Sequence, residues 1–289
     1  MKKMILALAL ILGTMQVQGQ EFQGMAVYES KTSTSDMKAR FGGNREITPE
    51  MQKNIEERMK KMLEKTFVLN FDKTASIYKE EEKLDAPGQQ NGGMRMMSSM
   101  LGGGGTYYKN VKEKTYSVDR EFMGKEFLVK DSLPKLQWKM ESETKQIGGY
   151  TCYKATAVKA VNQSDFRNFR PKKEEEKKAE DKATNLMDNL EMPKEVTVTA
   201  WYAPEIPVNQ GPESYWGLPG LILEVSDGKT VILCSKIVLN PKEKTVIKAP
   251  TKGKVIGQKE YDETVTKKME EMRQQFQSGS GRPSFRMGN

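Results

Sequence analysis

From Gly24 to Leu239 the chain returns ten times to a run of five to nine residues rich in β-branched and aromatic side chains, each closed by polar or turn-forming residues. The runs are GMAVYE (24–29), FVLNFD (67–72), ASIYK (75–79), KTYSV (114–118), EFLVK (126–130), Leu136–Glu141, Tyr150–Val158, Val196–Tyr202, Leu221–Val225 and Val231–Leu239. An extended chain alternates its side chains between two faces, so such a run cannot bury its apolar members alone and must pair with others. Asp227-Gly228, between the last two runs, predicts a tight antiparallel turn because glycine accepts a positive φ. The expected fold is mainly β (α+β), a curved antiparallel sheet or half-barrel with one or more covering helices. The half-barrel, of the kind lipoprotein carriers use, is an expectation by fold analogy.

The first twenty residues read differently. Lys2 and Lys3 precede an apolar stretch from Met4 to Leu12, and small residues close the segment near Gly19. That layout predicts a cleavable export signal, and the apolar stretch is too short to span a bilayer. The mature protein is expected to be periplasmic or secreted, with no transmembrane segment after signal removal.

The remainder is organised as a single antiparallel β domain, 21–258, carrying a helical insert at 45–65, a Gly/Met loop at 86–105 and a charged insert at 163–195. Thr48-Pro49-Glu50 supplies a cap, a preset φ and an acidic first turn, after which Met51, Ile55, Met59, Met62 and Leu63 share one helical face. The run KKEEEKKAEDK (172–182) is a solvated helix or a partly ordered insert, with Glu174 and Lys178 spaced to pair. Residues 259–289 form a C-terminal helix, with Tyr261, Val265, Met269, Met272 and Phe276 in amphipathic register, followed by a disordered tail.

Composition excludes several function classes. The formal charge of +8 is built from intermingled signs, and no zinc spacing or RNA-reading aromatic motif is present, so a nucleic-acid partner is not expected. The chain has no histidine, which removes the commonest general base together with Ser-His and Cys-His nucleophile schemes. GGGG at 102–105 lacks the lysine and strand-to-helix setting of a phosphate loop. No catalytic residue and no cofactor is predicted.

Two other candidates carry chemistry. Cys152 and Cys234, the only cysteines, lie in strand-like runs and either form a cross-strand disulfide or remain buried free thiols. Met94, Met96, Met97 and Met100 in the glycine-rich loop form a thioether cluster of the type that binds Cu(I), with a hairpin tip carrying adaptable apolar residues as the plainer reading.

The stretch ESYWGLPGLILEV (213–225) sets two glycines and a proline between Trp216 and an apolar run. Pro207 and Pro219 hold the residues before them extended, and Gly217 and Gly220 allow close approach or positive φ on either side of Leu218. The expectation is a rigid corner that turns the strand VTVTAWY back into the buried strand LILEV. Within it Glu205, Glu213 and Ser214 are the groups a catalytic loop would present.

The order WYAPEIPVNQGPESYWGLPGLILEV, preceded by KQIGGYTCYKATA, resembles the GLPGLI family of exported bacterial envelope proteins, whose motif is Gly217, Leu218, Pro219, Gly220, Leu221 and Ile222. The resemblance covers about Leu136 to Leu239, and GMAVYE fits the family's first strand. It implies an envelope setting and brings no activity or catalytic residues with it. The expected function is a non-enzymatic cell-envelope protein that holds an apolar ligand or a protein partner against its sheet, with Trp201, Tyr202, Tyr215 and Trp216 as the binding residues. The alternatives are an accessory subunit of an outer-membrane or secreted complex, docking through the charged insert, and a copper-binding protein using the methionine loop.

Overall fold

The computed structural model describes residues 22–33, 48, 50, 53, 54, 57, 60, 63–81, 105–168, 170, 171 and 190–277. The expected signal segment, Met94, Met96, Met97 and Met100, most of the charged insert (172–189) and the tail beyond 277 lie outside the described residues.

Fourteen strands appear among the described residues: β1 (Gln23–Thr32), β2 (Glu64–Asp72), β3 (Ala75–Glu80), β4 (Thr106–Asn110), β5 (Thr115–Phe122), β6 (Lys125–Ser132), β7 (Lys139–Ile147), β8 (Tyr150–Ala160), β9 (Arg170–Pro171), β10 (Leu190–Glu191), β11 (Glu195–Ala203), β12 (Leu221–Ser226), β13 (Thr230–Leu239) and β14 (Lys254–Ile256). Twelve of them form one open sheet in the order β14-β6-β5-β4-β3-β2-β1-β13-β12-β11-β8-β7, and β9 and β10 pair separately. Neighbours are antiparallel throughout the large sheet except β14 and β6, which run parallel. The molecule is mostly β, and this one pairing makes the sheet mixed.

The alternation of side chains selects one face for burial. Ala26 and Tyr28 of β1 stand opposite Leu69 and Phe67 of β2, and Leu69 stands opposite Tyr78 of β3. All five are buried, and the Phe67 and Tyr78 rings stack at 4.6 Å. Turns are held by carboxylate and amide side chains. Asp72 Oδ1 accepts from the amides of Thr74 and Ala75, Asn110 Oδ1 from those of Lys112 and Glu113, and Asp227 Oδ1 from those of Lys229 and Thr230. In each case the side chain mimics a backbone turn.

The C-terminal helix (Gln258–Gln277) lays Tyr261 and Val265 against Phe127, Val129 and Ile256, with Met269 at the margin, as its amphipathic register predicts. The side chain of Phe276 lies outside the described residues. In the expected N-terminal helix, Glu50, Lys53, Asn54, Glu57 and Lys60 are helical and exposed, Leu63 is helical and buried, and the other four positions of the predicted apolar face are not described.

Two strand expectations are corrected, and the two readings of the cysteines are decided. β4 was not among the ten runs, because TYYKN follows directly on the glycines and places a lysine on the inward face. The run expected at Leu136–Glu141 becomes a strand only from Lys139. Cys152 and Cys234 are free thiols, both buried in one apolar cluster. A bridge needs Cα atoms within about 7 Å, whereas β11 and β12 stand between the strands that carry them. Burial pushes the Cys152 thiol up to about 11 and the Cys234 thiol up to about 12, so neither ionises near neutrality.

Candidate functional site

The segment between β11 and β12, residues 204–220, packs under its own backbone bonds and lies against the buried face of the sheet. Leu221 N–H donates to Ile206 O at 3.0 Å, Ile222 N–H to Gln210 O at 3.0 Å and Gly217 N–H to Asn209 O at 3.1 Å. Ile206, Val208 and Leu218 fill the interior. The motif glycines serve the corner in two ways. Gly217 has φ of 94°, the left-handed region that favours glycine. A Cβ on Gly220 would meet the Ala203 carbonyl oxygen at 2.3 Å, so only a hydrogen lets the two backbones approach. Leu221, Ile222 and Leu223 then enter the core fully buried.

Side chains from remote strands pin this segment down. Lys109 of β4, 1% exposed, donates from Nζ to the carbonyls of Gly211 at 2.7 Å, Glu213 at 3.0 Å and Tyr215 at 2.8 Å. Its three donors match the three acceptors, and the carbonyls are satisfied where water does not reach. Burial pulls the Lys109 ammonium down to about 7, against the opposing pull of Glu213. Ser76 of β3 donates to Gln210 Oε1 at 2.9 Å, and the Tyr28 hydroxyl of β1 donates to Ile222 O at 2.7 Å. Two indoles strap the β6–β7 connection across the corner: Trp138 Nε1 donates to Trp216 O, and Trp216 Nε1 donates to Pro134 O, each at 2.9 Å.

Beside the pinned segment lies a cleft of about 40 Å³, lined by Lys159, Asp165, Arg167, Glu213, Tyr215 and Asp227 among others. Space on this scale admits a few waters or one small functional group and is far below the roughly 300 Å³ of a typical small-molecule pocket. Its wall is ionic. Arg167 reaches Asp165 at 2.8 Å and Glu213 at 2.7 Å, with side-chain exposures of 15%, 24% and 19% respectively. Burial alone would raise both carboxylates, but the Arg167 guanidinium overrides it and holds Asp165 well below the usual range and Glu213 below its own. Lys159 Nζ stands 3.0 Å from Ser214 Oγ and 4.5 Å from the Tyr215 ring centroid. Burial lowers this ammonium, partly offset by Glu213 and Asp165.

The four aromatic residues expected to bind together are distributed over separate regions. Tyr202 and Tyr215 are buried with Leu218 and Ile222. Trp201, next to Tyr202 in β11, points to the opposite face and is half-covered by Lys145, whose Nζ lies 4.3 Å from the ring centroid and 2.7 Å from Glu224 Oε2. Trp216 packs beside the cluster under the C-terminal helix. Among the described residues, no group of three or more acids, cysteines or histidines is arranged to hold a metal ion. The residues that the sequence reading missed are Lys109, Lys159 and Arg167. Lys109 and Lys159 show only as basic side chains within or beside a strand-like run and Arg167 as a basic residue two positions from Asp165, while their other partners lie 46 to 106 residues away.

Residues 138–224, which include the whole corner, match a family profile described as "Protein of unknown function (Porph_ging)". No curated protein matches the sequence significantly. Among solved structures, the chain is similar to PNGF-II in the C2 space group, with 15% identity and a TM-score of 0.45 over 85% of this chain and 33% of that one. PNGF-II in the P21 space group gives 15% identity and a TM-score of 0.41 over 82% and 31%. The chain therefore spans about a third of the length of the PNGF-II chains. Among the described residues no helix is long and apolar enough to cross a membrane.

Proposed function

We propose that this chain is an exported cell-envelope protein of the GLPGLI type that works by docking an extended segment of a partner protein along one edge of its sheet. The observation that carries the reading is β7: nine residues long, it ends the sheet and, among the described residues, has a partner strand, β8, on one side only. An edge of this length offers unpaired backbone donors and acceptors to an added strand. Exposed apolar side chains stand beside it, Met140 at 56% and Tyr153 at 40%, where they would pack on alternate residues of the incoming segment. Lys139, Met140 and Ser142 to Thr144 are solvent-exposed along the same strand. Charged residues of this kind discourage self-pairing and leave the edge to a charge-matched partner.

Holding an apolar ligand is the weaker half of the expectation, since Tyr202 and Tyr215 are committed to the core and the cleft is small and polar. A photoreactive amino acid at Ser142 in the full chain, expressed in its own envelope, tests the docking reading. The expected result is a discrete adduct with one polypeptide, absent when the same group replaces Lys112 in the remote β4–β5 turn. No adduct, or the same adducts from both positions, would reject it.

A further inference from the structure

Ser214 and Lys159 meet in a way that the docking reading does not use. Ser214 Oγ lies 3.0 Å from Lys159 Nζ, and Lys159 lines the cleft together with Glu213 and Tyr215, the residues that flank the serine in sequence. The backbone at Glu213 has φ of 45°, a left-handed conformation for a residue with a side chain. Strain of this kind persists only where surrounding structure enforces it, and it concentrates at functional turns. Here Lys109 enforces it by holding the carbonyls of both Glu213 and Tyr215. The serine is thus fixed on both sides while its side chain remains partly accessible.

We propose that Ser214 and Lys159 form a nucleophile and general-base pair that accepts a small acyl group from an ester. A lysine replaces histidine as base in serine acyl-transfer sites when its surroundings favour the neutral amine. Those surroundings are mixed here. Burial and Arg167 favour the amine, whereas Glu213, Asp165 and Asp227 favour the ammonium, and burial is the largest of these effects. In the forward step Ser214 Oγ bonds to the ester carbonyl carbon and its proton passes to Lys159 Nζ. The carbon–oxygen bond to the alcohol then breaks, and the alcohol leaves with the proton returned by Lys159. Water repeats the sequence on the acyl-serine and releases the carboxylic acid. The cleft that Lys159 lines, next to the serine, has room for a group of only a few atoms, so the proposal takes short-chain esters as the substrate class.

The test is labelling of the purified full chain with a fluorophosphonate probe, followed by peptide mass spectrometry. Because no partner is present, the outcome is independent of edge docking. The expected result is a single adduct on Ser214, lost in Ser214→Ala and formed at least tenfold more slowly in Lys159→Arg, which keeps the cation beside Tyr215 but cannot act as a base. Labelling of the natural chain should rise with pH and reach half its maximum below the ordinary lysine value of 10.5. This profile decides the matter should Lys159→Arg fail to fold. Absence of a Ser214 adduct on folded protein, an unchanged rate in Lys159→Arg, or a flat pH profile would overturn the proposal.

Discussion

Lys109 Nζ of β4 donates to the carbonyl oxygen of Tyr215 at 2.8 Å across 106 residues of sequence. With the parallel bonds to Gly211 and Glu213, this contact makes one buried ammonium the fastening between the central strands and the β11–β12 corner.

Replacing Lys109 with Met keeps the aliphatic bulk and leaves three carbonyls, two of them in buried contacts and one part-buried, without their donor. Each orphaned group costs about 1–3 kcal/mol, partly offset because a buried charge no longer has to be desolvated. The expected result is a net loss of about 2–4 kcal/mol in urea unfolding at pH 7. An unchanged or higher midpoint would mean that the fastening contributes little.

Acid should loosen the same region. Asp165 and Glu213 have folded pKa values below their unfolded ones, so the unfolded chain takes up protons first as pH falls. Their stabilisation is full above about pH 5 and is lost progressively below it. Lys109 shifts stability in the same direction over a higher window: its folded value of about 7 lies below the unfolded 10.5. Between those values the unfolded chain holds the extra proton, and this group's contribution improves as pH rises. The double variant Asp165→Asn with Glu213→Gln should be less stable at pH 7, with a visibly flatter decline from pH 5 to about pH 3, as read by urea midpoints.

The two motif glycines should differ in what they tolerate. Gly217→Ala meets open space apart from the Trp138 indole at 3.9 Å and bears mainly the left-handed φ, about 1 kcal/mol. Gly220→Ala places a methyl 2.3 Å from the Ala203 carbonyl oxygen, and backbone must move, so about 3 kcal/mol or more is expected. Thermal melts should rank Gly220→Ala well below Gly217→Ala, and the reverse order would contradict the close-approach role of Gly220.

What the sequence made legible follows from range. Tyr28, Leu69 and Ile222 sit in alternating or apolar runs whose burial is a local property, and the Asp227-Gly228 turn is local as well, with Gly228 at φ of 82°. The glycines of the corner were also readable, since proline and glycine restrict or free their own dihedrals. Lys109 was not readable. Nothing within TYYKN distinguishes a lysine that will bind three carbonyls from one that faces water, because the acceptors lie more than a hundred residues on. The pairing of Lys159 with Ser214 is hidden for the same reason, although Ser214 itself stands out in the corner sequence. The four aromatics expected to act together were dispersed by strand alternation, which sends Trp201 and Tyr202 to opposite faces.

Hydrogen exchange at the Leu221 and Ile222 amides tests the pinned corner most directly, because these amides bond to Ile206 O and Gln210 O inside the segment that Lys109 holds. The account predicts protection close to that of the central β1 and β2 amides in the natural chain and a drop of at least tenfold in Lys109→Met. Rapid exchange at both positions in the natural chain, or protection unaltered by Lys109→Met, would contradict it.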